Sequence, residues 1–371
     1  MIIFNGNNEP TVGIELELQV IDRTSNRLVS KADKIIKYIN SPLVKYELFQ
    51  STVEINSSPT TDLAMLEKEL RTLLNKVIEA GKKFDVDFVM AGTNPLTTWK
   101  EQRVTPIARY QKMIEKIKWP ARIMMIFGLH IHVGVENANV AIHVCNRLLS
   151  FLPHFLALSS SSPFWGKTET GLASTRTKLF ESLPLAGISD HFKDWYDFEL
   201  FVQRMLDAGS IDTYRDIWWD VRPHPDFGTV EIRVFDAVPT LWETMALAAL
   251  VQALVQYLSE EYHSSIITPP LTPYWLLREN KWRATRFAID AEIMLPEDGK
   301  TSPITEEIEK LLDMLKETAE ILGTGKYLSQ VREIIRVGPS YKRQLAMFNG
   351  KRGDFHLILQ NLKKELLDSL N

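Results

Sequence analysis

Cysteine is almost missing from this sequence: Cys145 stands alone among 371 residues. That excludes an intramolecular disulfide framework, a CxxC redox pair and cysteine-ligated zinc. Cys145 itself falls on an apolar helical pattern and reads as core, not as a nucleophile. Neither sign of charge dominates. The 43 Lys and Arg against 47 Asp and Glu leave a net charge of −4, which offers no general attraction to nucleic acid or to an anionic membrane. Charged substrates must therefore be handled locally. The first residues carry no basic segment followed by an apolar stretch, and no apolar run reaches about 18 residues, so a cytoplasmic protein outside the membrane is expected. Familiar signatures fail as well. No GxGxxG occurs, no GxSxG elbow exists, and WGKT at 165–168 has Ser161 where a phosphate loop needs its first glycine. The GTGKY at 323–327 reads as a turn between helices.

What the chain does have is an ordinary globular composition, 45% hydrophobic and 24% charged, and three strictly alternating segments. Residues 11–21 place Val12, Ile14, Leu16, Leu18 and Val20 on one face and Glu15, Glu17 and Gln19 on the other. Residues 126–135 put His130 and His132 opposite Leu129, Ile131, Val133 and Val135, and residues 228–236 put Glu231 and Arg233 opposite Val230, Ile232 and Val234. A β-rich stretch at 44–56, with Glu47 and Glu54, needs a turn or bulge near Gln50 and Ser51 if both carboxylates are to reach one place, because a straight strand would separate them by about 20 Å. Helical patterns follow at 62–83 with Asp62 as N-cap, 106–118, 138–160, 241–258, 305–322, 326–337 and 355–369. The long polar segment 159–178 reads as a functional loop. Clustered strands followed by bunched helices predict one α+β domain over 1–371 with a mostly antiparallel sheet. The apolar 241–258 helix suits either the core or a subunit interface, so a homo-oligomer stays open.

A solvated sheet face normally mixes Lys, Thr, Ser and Gln. These faces carry carboxylate and imidazole, with Arg as the only cation. Two unscreened carboxylates 4 Å apart repel by about 4 kcal/mol at an effective dielectric near 20, so something positive must lie between them. Oxygen-rich sets with one imidazole per ion suit Mg²⁺ or Mn²⁺, which commonly share a nucleotide's phosphates.

The segments GIELELQVID, YELFQSTVEINSSP, AGTNPLTTW, GLHIHVGV, LALSSSSPFWGKTETGLASTR, WWDVRPHPDFGTVEIRVFDA and ENKWRATRFAIDAEI, in this order, resemble the type 2 glutamate-cysteine ligase family, including its YbdK-like carboxylate-amine ligases. The resemblance implies a glutamine synthetase-like fold, with an antiparallel sheet curved into a funnel, helices packed outside it, and ATP and Mg²⁺ or Mn²⁺ within. It implies Glu15, Glu17, Glu47, Glu54, His130 and Glu231 as metal ligands, Arg233 at the transferring phosphoryl group, Arg109 and Tyr110 as a substrate- and phosphate-side pair, and Arg176 at a substrate carboxylate. His132 is then a supporting residue or a satisfied sheet histidine. The substrates implied are a glutamate-like acid, an amino-acid amine and ATP. The GPSYKRQLAMF segment departs from the family pattern, with Arg343 as a possible substitute. Trp99, Trp165 and Trp219 suit core packing better than a site wall, and Asn280, Arg283 and Arg286 suit a solvated helix face almost as well as an anion site. Two other classes compete with the ligase: a metal-dependent hydrolase built on His130 and His132, and a non-catalytic nucleotide- or metal-binding protein.

Overall fold

The computed structural model describes residues 2–264, 269–296, 299–350 and 353–371. Its spine is β1 (Val12–Asp22), in which Val12, Ile14, Leu16, Leu18 and Val20 are all buried by the alternation of a strand. Every neighbour of β1 is antiparallel. β2 (Val44–Tyr46) pairs with β3 (Thr52–Asn56), β3 pairs with one edge of β1, β4 (Val86–Val89) pairs with Gln19–Asp22, and β5 (Leu129–Gly134) pairs with Val12–Leu16. A hairpin of Val221–His224 and Thr229–Ile232 then adds to β5, completing a seven-stranded sheet. The α+β class with an antiparallel sheet is therefore as read from the sequence.

The register decides which side chains meet, because directly opposed residues share a face. Glu15 lies opposite His130, Glu17 opposite Glu54, Lys45 opposite Glu54, Glu231 opposite His132, and Arg222 opposite Glu231. A turn at Gln50–Ser51 separates β2 from β3, as the positions of Glu47 and Glu54 required.

The opposite, apolar face is covered by helices. Leu63–Phe84 starts at Asp62, whose side chain accepts from the Ala64 and Met65 amides, and it buries Leu66, Leu70, Leu73, Leu74 and Val77. Leu241–His263 is long and apolar enough to cross a membrane, but 83% of its apolar window is buried inside the protein. It is a core helix, and Gln252 ties it to the Pro10 and Thr61 carbonyls. The 138–160 pattern is interrupted: Ala138–Leu148 passes through a 3₁₀ turn into Leu152–Ser159, because Pro153 has no amide to continue the ladder. Helices Ala32–Ile39, Trp195–Asp207 and Ser340–Gly350 go beyond those expected, and Asn280, Arg283 and Arg286 lie on the helix Tyr274–Phe287. The WGKT string forms the exposed turn of a two-stranded ribbon, with Gly166 and Lys167 both at positive φ. Trp219 packs in a satellite cluster with Phe192 and Phe198, while Trp99 and Trp165 are partly buried against the main core.

The hairpin that brings in Glu231 is clamped at its tip. Asn5 donates from its backbone to Pro225 O (3.0 Å) and from its side chain to Asp226 O (3.1 Å), while Val135 donates to Gly228 O (3.0 Å). Gly228 has φ +64°, and a Cβ there would lie 1.7 Å from Asn5 O. Gly228→Ala should accordingly destabilise the fold by about 2 kcal/mol or more. Urea unfolding is the check, and a change below about 0.5 kcal/mol would show that the clamp is slack.

Candidate active site

The polar face of the sheet floors a cavity of about 370 Å³. Its wall contains every site residue expected from the sequence: Glu15, Glu17, Glu47, Glu54, Arg109, Tyr110, His130, Arg176, Glu231 and Arg233. The carboxylates fall into two groups with different electrostatics.

In the first, one oxygen each of Glu17, Glu47 and Glu54 lies within 4.8 Å of the others. Burial, and then the charge of Glu47, pushes Glu17 up to about 8; burial raises Glu47, and burial with Glu15, Glu47 and Glu17 carries Glu54 well above the carboxylate range. Three such groups cannot all ionise without a counter-charge. Glu17 accepts from the Gly128 amide (2.6 Å) and Glu47 from the Leu48 amide, so single hydrogen bonds fix their directions and leave other lone pairs toward the cavity.

In the second group, Glu15, His132 and Glu231 bring one atom each within 4.8 Å. Burial alone would raise Glu15, but the imidazoles of His130 and His132 outweigh it and hold Glu15 well below the usual range. Burial of Glu231 is likewise outweighed, by Arg222 and then Arg233. His132 Nδ1 meets Thr229 Oγ1 at 3.1 Å, whereas its buried Nε2 has no hydrogen-bond partner and lies 3.7 Å from Glu15 and 3.9 Å from Glu231. An orphaned ring nitrogen aimed between two ionised carboxylates fits a hard divalent cation with one imidazole ligand, the hydroxyl behind it fixing the ring.

The two histidines differ in their surroundings. His130, expected as the ligand, shares Nδ1 with Glu15 at 3.0 Å, and burial followed by Arg233 pushes it down to about 4. Its ring lies against Glu15, whereas His132 supplies the ring nitrogen that falls together with Glu15 and Glu231.

The arginines divide similarly. Arg233 pairs with Glu231 and lies over the Phe180 ring at 5.9 Å. Its backbone amide donates to Asp220 O at 2.7 Å. Arg176, expected at a substrate carboxylate, lines the cavity, and its terminal nitrogens donate to Val234 O and Arg233 O, so it also holds the chain that carries Arg233. Tyr110 donates its hydroxyl to Tyr46 O (3.0 Å), and Arg109 is exposed at the rim.

A family model described as Glutamate-cysteine ligase family 2 (GCS2) matches residues 11–361. The chain belongs to this family. A Thermobifida fusca protein named as a candidate glutamate–cysteine ligase 2 is 39% identical over 93% of this chain and 88% of its own length. A Gloeobacter violaceus protein of the same name is 38% identical over 95% of both. The fold is shared with the glutamate–cysteine ligase of Francisella tularensis, solved in complex with AMP, at TM-score 0.68 and 14% identity over 98% of this chain and 90% of that one.

This member of glutamate-cysteine ligase family 2 also places residues at its site that the sequence reading missed. Arg222 donates from Nε to Glu231 (2.6 Å) and from Nη1 to Ile217 O (2.6 Å). The PDFG turn at 225–228 sets a register that puts Arg222 opposite Glu231, and that was the available signal. Lys281 is buried between Asp220 and Glu181, 2.6 Å from each, directly behind Arg233. Asn280, Arg283 and Arg286 of the same helix hold Met294, Glu279 and the Phe287 ring instead. Arg343 pairs with Glu243 and Glu365, a tie between helices away from the cavity.

Two expectations follow. In the folded protein Glu17 keeps its proton to about pH 8, against an ordinary value of 4.5. Stability without metal is therefore lost as pH rises through that window, while cation binding, which needs the bare carboxylate, tightens. Mn²⁺ affinity followed by electron paramagnetic resonance should rise about tenfold or more from about pH 6.5 to 8.5, and the chelated protein should melt lower at the upper pH. A flat affinity profile would sink the assignment. At fixed pH, His132→Gln should weaken Mn²⁺ binding by about tenfold or more and His130→Gln by less; the reverse order would make His130 the ligand.

Proposed function

We propose that this chain, an ATP-dependent C–N ligase of the glutamate-cysteine type, joins a glutamate-like acid through its side-chain carboxylate to the amine of an amino acid such as cysteine, by way of an acyl phosphate. The observation that carries this reading is the pairing of two carboxylate clusters with Arg233 over one sheet face, in a cavity whose described lining residues include no cysteine or serine. Phosphoryl transfer to a carboxylate needs positioning and charge neutralisation but no protein nucleophile. The names of the relatives and the AMP bound by the Francisella ligase support the same reading.

A carboxylate and an amine do not condense in water, because oxide is a poor leaving group. In the proposed reaction a carboxylate oxygen attacks the γ-phosphorus, the bond to ADP breaks, the amine nitrogen then attacks the acyl carbon, and phosphate departs with the C–N bond formed. Mg²⁺ or Mn²⁺, when bound, supplies neutralising charge for the polyphosphate. Glu17, Glu47 and Glu54 would hold one ion, and Glu15, His132 and Glu231 a second. Arg233 offers a planar fork to the phosphoryl oxygens, a match that lysine's point charge cannot reproduce. Glu231 and the Asp220 carbonyl fix it from the side chain and the backbone, so little reorganisation is needed when charge develops.

Incubation with ATP, Mg²⁺, glutamate and hydroxylamine should yield a hydroxamate together with equal amounts of ADP and phosphate. A hydrolase would release phosphate without hydroxamate, a binding protein would release nothing, and AMP with pyrophosphate would mean adenylation. Arg233→Lys should lower kcat by about 100-fold while leaving the KM for ATP within about threefold. An unchanged kcat would remove Arg233 from the chemistry.

A further inference from the structure

Six aromatic residues line the cavity: Tyr46, Phe49, Tyr110, Phe180, Trp218 and Phe227. Five have their rings engaged or covered. Phe49 is buried, Tyr110 and Tyr46 donate their hydroxyls to Tyr46 O and Asp33, Phe180 lies beneath Arg176 and Arg233, and Trp218 is half-buried against the core. Phe227 differs. It is 59% exposed, and His224 stacks on one of its faces at 4.1 Å with the rings only 12° apart. More than half of its surface stays accessible beside that stack and the edge-on His132 ring.

An exposed phenylalanine at a hairpin tip is unremarkable when the tip is loose, and this one is fixed. Phe227 closes the turn by donating to His224 O (3.2 Å), its neighbour Asp226 pairs with Arg215, and Asn5 holds the Pro225 and Asp226 carbonyls while Val135 holds that of Gly228. Tyr214 packs edge-on against His224 at 6.2 Å, behind the stack. The platform also has a definite distance to the charged part of the cavity: the Phe227 ring is 5.8 Å from the ring of His132, whose free nitrogen faces Glu15 and Glu231. One end of the cavity is thus a flat, apolar, preorganised surface, and the adjoining part is built for cations and phosphate. That sequence of surfaces matches a nucleoside triphosphate read from base to phosphates.

We propose that Phe227, backed by His224, is the stacking platform for the purine base of ATP, and so a substrate-positioning residue on the side of the cavity formed by the 221–232 hairpin. The inference rests on the ligase reading above, which requires ATP but assigns no residue to its base. A base stacked on an aromatic ring gains affinity without any hydrogen-bond readout. The platform therefore acts on ATP and not on a ligand that lacks the base.

The test is calorimetric binding of ATP and of inorganic tripolyphosphate, each with Mg²⁺, to the wild-type protein and to Phe227→Leu and Phe227→Trp. Because Phe227 is exposed, neither change threatens the fold. Phe227→Leu should weaken ATP by about tenfold and leave tripolyphosphate within about twofold, and Phe227→Trp should bind ATP as wild type or more tightly. Unchanged ATP affinity in Phe227→Leu, or equal weakening of both ligands, would overturn the platform. A wild-type protein that binds tripolyphosphate as well as ATP would overturn it too, while leaving the ligase reading in place. A wild-type protein that binds neither would remove both.

Discussion

Burial of one apolar sheet face, which holds mutually repelling carboxylates together on the other, is the constraint from which the rest of this site follows. The register of β1 against β3 and β5 is fixed by the apolar side of the strand, since a one-residue slip would turn Ile14, Leu16 and Leu18 toward the cavity. Once that register is set, Glu15, Glu17, Glu54 and Glu231 have no freedom to separate. Hydrophobic burial on one face thus holds like charges together on the other. A fold that did this without a purpose for the charge would be selecting a costly arrangement.

The cations around the cavity are arranged as a layered support. Arg222 and Arg233 flank Glu231, Lys281 neutralises Asp220 and Glu181 behind them, and Arg176 ties down the chain on either side of Val234. Asp236, fully buried, extends the support into the polar segment 159–178 by accepting from the Ser161 amide and from the hydroxyls of Ser162 and Ser174. That segment reads as a functional loop from its length and polarity. Ser161, Ser162 and Ser174 are buried and donate to Asp236, while Arg176 of the same segment lines the cavity. Short polar side chains are what a buried carboxylate needs when no arginine can reach it directly.

What the sequence made legible was whatever depends on local period. Alternation located β1, β5 and the second hairpin strand, and with them Glu15, Glu17, His130, His132, Glu231 and Arg233. The break between Glu47 and Glu54 followed from the reach of a strand. What stayed hidden depends on which partner lies across or behind. Arg222 reads as an ordinary strand residue until the hairpin register places it on Glu231, and Lys281 reads as one more lysine on a charged helix until Asp220 and Glu181 surround it. The two histidines are the sharpest case. They share a face and a strand, so alternation treats them alike, and only the three-dimensional neighbours, Glu15 beside one and Thr229 behind the other, separate their roles.

The two carboxylate clusters also differ in what they ask of an incoming cation. Glu15 and Glu231 are already ionised, because imidazole and guanidinium groups sit beside them. For Glu17, Glu47 and Glu54 burial and mutual repulsion outweigh the more distant Arg176, Arg109, Arg233 and Lys45, so these groups hold protons more tightly. A cation at the first cluster meets charge that is ready but shared with arginine. At the second it meets charge that appears only as protons leave, so its own field must do the ionising. The same sheet face therefore offers one position whose occupancy is governed mainly by competition with Arg222 and Arg233, and another governed by competition with protons. Two structural facts set this asymmetry: β5 brings His130 and His132 beside Glu15, and the hairpin that joins β5 brings Arg222 and Arg233 onto Glu231, whereas no cation pairs directly with Glu17, Glu47 or Glu54 among the described residues.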